Sequence, residues 1–218
     1  KIASFIRLNF FIPDSRIGWN YFAFKKAKKI IEDNNINCVI TTGPPHSSHL
    51  IGKKICKKFK LKWIVDLRDP WAELFYLKNK FQFKYVKKLN LKFEADVLNS
   101  ADAILTTVGN RYQTILKDKL LNSKKIYKIY NGYDKTAYDK IEEIKPDSYN
   151  IVFTGILSKN HNYQLFYEAL SLLKNKYQDL NLIFTFAGKI DKEVKSLFSE
   201  KIQFIDNGYV TVSYTHLT

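Results

Sequence analysis

The chain has 218 residues, 45% hydrophobic and 15% aromatic, which suits one large core or two small ones and is too apolar for a disordered polypeptide. Sixteen Phe, fourteen Tyr and three Trp must go mostly inside. No apolar run approaches the roughly 20 residues of a spanning helix and no charged-then-apolar leader opens the chain, so the expectation is a cytoplasmic protein. The formal charge of +15 lies in one part: residues 1–133 hold 26 Lys and Arg against 10 Asp and Glu, and residues 134–218 hold 10 against 11.

In chain order, Tyr21, Phe24, Ala27 and Ile31 recur at helical spacing, with Lys25, Lys26, Lys28 and Lys29 between them. Asn37–Thr41 is a short β-branched run ended by Gly43-Pro44-Pro45, and a helix is expected from a capping Ser47 through Lys58. Trp63–Leu67 reads as the next strand, stopped by Pro70. An amphipathic helix over about 81–99 follows, with Val86, Leu89, Phe93 and Val97 on one stripe and Lys84, Lys87, Lys88 and Lys92 around it. Next come strand Ala103–Thr107, helix Tyr112–Leu121 and strand Ile126–Tyr130. The near-neutral part repeats the alternation: strand Ile151–Thr154, helix Tyr163–Tyr177, strand Leu182–Phe186, helix Glu193–Glu200 and strand Ile202–Ile205.

Alternation of this kind predicts an α/β fold of two Rossmann-like domains, each a parallel sheet with right-handed helical crossovers. The charge break and the polar stretch 135–149 set the expected boundaries: a basic domain over 1–133, a linker over 134–149 and a second domain over 150–210. The chain has no methionine and is expected to be a fragment; 211–218 is read as an artefactual tail. Cys38 and Cys56, in a strand and a helix without C-x-x-C spacing, read as buried reduced thiols.

Ligands of parallel sheets bind beyond the carboxyl ends of the strands, so the residues after each strand are the ones to read for chemistry. His46 and His49 lie three apart at a helix start and can cap or pack, or hydrogen-bond a polar substrate. A zinc role lacks a third ligand at recognised spacing. Asp66, Arg68 and Asp69 crowd three charges at a strand end, where Arg68 either pairs internally or meets a phosphate or sugar hydroxyl. Gly155 permits close backbone approach to a phosphate, and Lys159 is either a surface lysine or a neutraliser of a diphosphate. Neither a P-loop nor a dinucleotide fingerprint is present, which argues against an oxidoreductase. The lysine-rich helices are solvated faces, a contact for anionic lipid, or a nucleic-acid surface; with few arginines and no basic-aromatic module, nucleic acid is not expected.

Several segments together resemble the retaining glycosyltransferases of family 4, with the two-domain B-type fold. They are Ile12–Trp19, Pro44–Leu50, Asp66–Trp71, Ala101–Ile104, Asn131–Asp134 and Thr154–Lys159, in order across residues 12–210. The resemblance implies sugar transfer from a nucleotide-sugar donor to a glycan or lipid-linked acceptor in the cleft between two Rossmann-like domains, with no metal or other cofactor. It implies His46, His49, Arg68 and Asp69 on the acceptor side. Thr107, Asn131, Gly132, Gly155 and Lys159 would bind the donor, with Asn131–Asp134 at a hinge. No catalytic residue is assigned. Many members carry Arg where this chain has Ile156, and the glycine-rich opening loop and the paired glutamates that hold the donor sugar are expected outside the 218 residues, so the chain alone is expected to be inactive. The implied setting is bacterial cell-surface glycan synthesis at the inner face of the plasma membrane. A nucleotide-sugar epimerase of the same fold and a basic membrane- or nucleic-acid-binding α/β protein are the alternatives.

Overall fold

The computed structural model describes residues 2–72, 80–107, 110–120, 126–132, 136 and 148–210. It divides into two compact units, Lys1–Gly132 and Tyr133–Thr218. Most of the stretch read as a linker, and all of the expected tail 211–218, lie outside the described residues.

The first unit opens with helix α1 (Ile2–Phe10), a single 3-10 turn (Ile17–Trp19) and helix α2 (Asn20–Asp33). Then come β1 (Cys38–Gly43), α3 (Ser47–Phe59), β2 (Lys62–Leu67), α4 (Lys84–Ser100), β3 (Ala103–Thr106), α5 (Asn110–Asp118) and β4 (Ile126–Lys128). The four strands form one parallel sheet in the order β1-β2-β3-β4, each joined to the next by a crossover connection. Burial alternates along β2, where Trp63, Val65 and Leu67 face the helices. They join Ile55 of α3, Val97 and Leu98 of α4 and Leu116 of α5 in one core. An ion pair ties α4 to the turn that follows α5: Lys119 Nζ donates to Glu94 Oε2 at 2.9 Å, with the Glu94 side chain 1% exposed.

The other sheet face is more open. Cys38, Ile40 and Thr42 of edge strand β1 and Tyr127 of β4 are exposed. This corrects one expectation: Cys56 is buried, but Cys38 is exposed, because it lies on the outward side of an edge strand. Burial pushes the Cys56 thiol up to about 11.

The second unit contains β5 (Tyr149–Leu157), α6 (Tyr163–Lys176), β6 (Leu182–Ile190), α7 (Lys192–Lys201) and β7 (Gln203–Asp206), with the strands parallel in the order β5-β6-β7. Phe184, Phe186 and Phe198 are fully buried at its centre, and the Phe184 and Phe198 rings lie 4.9 Å apart. No described helix is long and apolar enough to cross a membrane.

Candidate functional site

In the first unit the residues singled out after each strand gather at the carboxyl edge of the sheet. β1 ends at Gly43, and Pro44 and Pro45 carry the chain over to α3. The first turn of α3 is held from far away in sequence. Asp14 accepts the Ser47 backbone N–H at 2.7 Å and the Ser47 hydroxyl at 2.9 Å, while its Oδ1 also accepts the Arg16 N–H at 2.9 Å. Ser47 is therefore the first residue of the helix and not its cap. A carboxylate 33 residues upstream satisfies the N–H and complements the positive end of the helix dipole.

His46 and His49 both turn inward from this helix start. The His46 ring lies flat on the indole of Trp71, with centroids 4.8 Å apart and planes 7° apart. His49 Nδ1 is 2.9 Å from Thr41 Oγ1, which also accepts the Trp63 indole N–H at 3.0 Å. His46 Nδ1 and His49 Nε2 are buried and, among the described residues, have no hydrogen-bond partner. Both converge on the space left by the absent side chain of Gly43: a Cβ there would lie 2.5 Å from His49 Nε2 and 3.0 Å from His46 Nδ1.

Burial sets the protonation state of the pair. It lowers His46 to about 4, against the opposing pull of Asp14, a backbone hydrogen bond with Pro70, and Asp69. His49 is lowered to about 3 by burial and by the neighbouring His46. At neutral pH both rings are uncharged, so each offers hydrogen-bonding nitrogens rather than a cation. Among the described residues no group of three or more His, Cys, Asp or Glu side chains is placed to hold a metal ion.

The charged cluster after β2 differs from the internal ion pair considered above. Arg68 and Asp69 are exposed, and no ion pair joins Arg68 to Asp66 or Asp69 among the described residues. Arg68 instead donates from Nη2 to Asn131 Oδ1 at 3.2 Å, and Asp66 accepts the Thr42 hydroxyl at 2.7 Å. The Arg68 backbone N–H donates to the Gly43 carbonyl at 3.0 Å, and the Thr107 hydroxyl donates to the Arg68 carbonyl at 3.2 Å. Arg68 thus links the ends of all four strands. Thr107 and Asn131, expected with the donor, sit in the same cluster as Arg68. Gly132 follows Asn131 at the end of the unit, exposed. Val108, Gly109, Tyr133 and Asp134 lie outside the described residues.

In the second unit Gly155 lies within a strand and not after it, because β5 continues through it to Leu157. It pairs with Gly188 of β6, and both have positive φ, 131° and 144°. A Cβ on Gly188 would overlap the Gly155 carbonyl oxygen, so the two backbones approach as only glycine permits. The backbone N–H of Lys159 donates to Asp191 Oδ2 at 3.0 Å, which fixes the turn after β5 and leaves the Lys159 side chain exposed.

Asp14, Thr41 and Trp71 were not assigned roles from the sequence. Trp71 had a local signal, an aromatic residue directly after a strand-ending Asp-Pro. Asp14 had none, because its partner is 33 residues away.

No family model matches this sequence, and no curated protein does. Solved structures do. Anabaena HepE in complex with UDP aligns with a TM-score of 0.57 at 12% identity, over 88% of this chain and 53% of that one. The HepE structure with UDP and glucose gives 0.51 at 13% identity, over 85% and 51%. Sucrose-phosphate synthase from Thermosynechococcus elongatus gives 0.54 at 11% identity, over 93% and 53%. The chain spans about half the length of each. At these identities the likeness is one of fold: an α/β protein of parallel, Rossmann-like sheets.

Proposed function

We propose that the chain is part of a glycosyltransferase that moves a hexosyl or related sugar from a nucleotide-sugar donor to a glycan or lipid-linked acceptor, without a metal. One observation carries the reading: two neutral, buried imidazoles offer unpartnered nitrogens beside a glycine, at the carboxyl edge of a parallel sheet. An unpaired buried polar atom costs about 1–3 kcal/mol, and a hydroxyl-rich substrate would recover that cost by hydrogen bonding to the rings once they turn out of the Gly43 gap. Arg68, held by Asn131, adds a planar cation suited to a sugar hydroxyl or phosphate. The fold shared with a protein solved with UDP, and with an enzyme named as a sucrose-phosphate synthase, supports a nucleotide-sugar substrate.

In this reading His46 and His49 meet the acceptor sugar with Arg68 and Asp69 beside them, and Gly155 and Lys159 meet the donor diphosphate. A nucleoside diphosphate is already a good leaving group. The protein's part is to orient the two substrates and to stabilise phosphate charge as the anomeric bond breaks. The setting is bacterial cell-envelope polysaccharide synthesis, with the basic unit peripheral to the inner face of the plasma membrane.

The test is transfer of labelled sugar from a panel of nucleotide sugars to extracted lipid and polysaccharide acceptors, by the 218-residue chain and by the same chain extended along its reading frame. Turnover is expected only from the extended protein, with His46→Ala and His49→Ala each lowering kcat/KM at least tenfold, about the value of one lost hydrogen bond to a polar group. Absence of transfer from every donor, or full activity in both variants, refutes the reading.

A further inference from the structure

We infer that helix α1 and the beginning of α4 form one docking surface for an anionic lipid bilayer. The proposal deepens the membrane-side reading above and rests on it for the choice of partner. α1 lacks the polar outer face of an ordinary surface helix: Ile2, Phe5, Ile6 and Phe10 recur at i, i+3, i+4 and i+8, and all four are exposed. Phe5 is the hub of an aromatic cluster, with ring centroids 6.5 Å from Phe10, 5.9 Å from Phe81 and 5.7 Å from Phe83. Phe81 and Phe83 lie 5.4 Å apart. Phe10 is 67% exposed and Phe81 64%, so the cluster faces solvent.

The patch is nevertheless fixed in place. Asn9, 5% exposed, donates to the Phe5 carbonyl at 2.9 Å and to the Phe81 carbonyl at 3.3 Å, and accepts the Phe83 N–H at 2.8 Å. Gln82 donates to the Leu8 carbonyl at 3.3 Å. Three of these bonds join α1 to the segment that opens α4, across more than 70 residues of sequence.

Charge identifies the partner. Residues 1–13 contain no Asp or Glu, and residues 80–93 contain five lysines and no acid. Lys80, Lys84, Lys87, Lys88 and Lys92 are all exposed, and none forms an ion pair with a described acid. Tyr85 and Leu91 are exposed among them. Exposed rings and aliphatic side chains beside an unneutralised lysine set match the acyl boundary and the phosphates of an anionic leaflet. A second copy of this chain fits poorly, since a self-complementary contact would set lysines against lysines.

The test is co-sedimentation of the 218-residue chain with vesicles of phosphatidylcholine, with and without phosphatidylglycerol, at physiological salt. Binding is expected only to the anionic vesicles. Phe10→Ser/Phe81→Ser and Lys84→Glu/Lys88→Glu should each weaken it about tenfold or more, since a lysine near such a surface is worth about fivefold. Lys25→Glu/Lys29→Glu on α2 should leave most of the binding intact. Circular dichroism confirms that each variant folds. The proposal is overturned if the chain ignores anionic vesicles, or if the α2 pair costs as much as the α4 pair. It is also overturned if the ring pair binds like wild type, or if DNA or self-association competes for the patch. Sugar transfer to a detergent-dispersed acceptor is read separately, so loss of lipid binding with transfer intact sinks this inference alone.

Discussion

The buried histidine pair makes a quantitative prediction about acid stability. His46 titrates near 4 in the folded protein and His49 near 3, against 6.5 for an ordinary histidine in the unfolded chain. The folded-state values are depressed, so below about pH 6.5 the unfolded chain takes up protons that the native state refuses. Stability therefore falls as pH drops from 6.5 towards 4. Between pH 7 and pH 5 each ring accounts for about 2 kcal/mol of lost stability, and the two together for about 3–4 kcal/mol. That is a large share of the roughly 5–15 kcal/mol by which domains are stable. Urea unfolding at pH 7, 6 and 5 measures it, and the variable to read is the slope of stability against pH and not its absolute value. His46→Gln/His49→Gln should flatten that slope by close to two protons, whatever it does to stability at pH 7. If the double variant keeps the wild-type slope, the rings are accessible to protons in the native state, and the account of a neutral hydrogen-bonding pair fails with it.

Four further outcomes follow from other contacts. Asp14→Ala removes the remote cap of α3 and should cost about 1–2 kcal/mol in chemical denaturation, with a partial rescue by Asp14→Asn. Lys119→Met takes the cation from the buried Glu94 carboxylate and should cost about 3 kcal/mol, measured as a fall in denaturation midpoint without a change in m-value. Gly188→Ala sets a methyl against the Gly155 carbonyl at a backbone angle that L-residues avoid; a loss of about 2–4 kcal/mol is expected, and unchanged stability would mean that the glycine pair is not close-packed. With a thiol reagent near pH 8, Cys38 should react in the fast phase and Cys56 only after unfolding, and Cys38→Ser should abolish the fast phase.

The order of elements was legible because each strand and helix carries its own period: Trp63, Val65 and Leu67 alternate, while Val86, Leu89, Phe93 and Val97 form a helical stripe. What the sequence hid was non-local or unpatterned. Helix α1 carries a helical period in Ile2, Phe5, Ile6 and Phe10, but the apolar face that it marks is exposed and not turned into the core. β5 reads as ending before Gly155 because a glycine ordinarily punctuates a strand, yet Gly188 lies directly opposite and removes the obstacle. Arg68 invites an ion pair with its neighbours Asp66 and Asp69, but it is exposed, so no desolvation cost forces a pair. The partner it takes, Asn131, lies 63 residues away.

The loops of the site, by contrast, could be located from topology alone, since a parallel sheet presents the residues after its strands along one edge. Topology does not say which of them departs from the rule that buried polar groups find partners. Here two such departures fall on adjacent imidazoles beside Gly43, while the polar groups of Ser47 and Ser48 in the same turn are bonded to Asp14, Asn20 and backbone carbonyls. A packing solution would need apolar residues at both histidines, because an alanine at position 43 would set its Cβ 2.5 Å from His49 Nε2 and leave both nitrogens in place. The chain instead carries the expense of two neutral histidines that acid will expose. Local rules tend to be broken where function requires it, so the pair that acid destabilises is the same pair proposed above to meet the substrate.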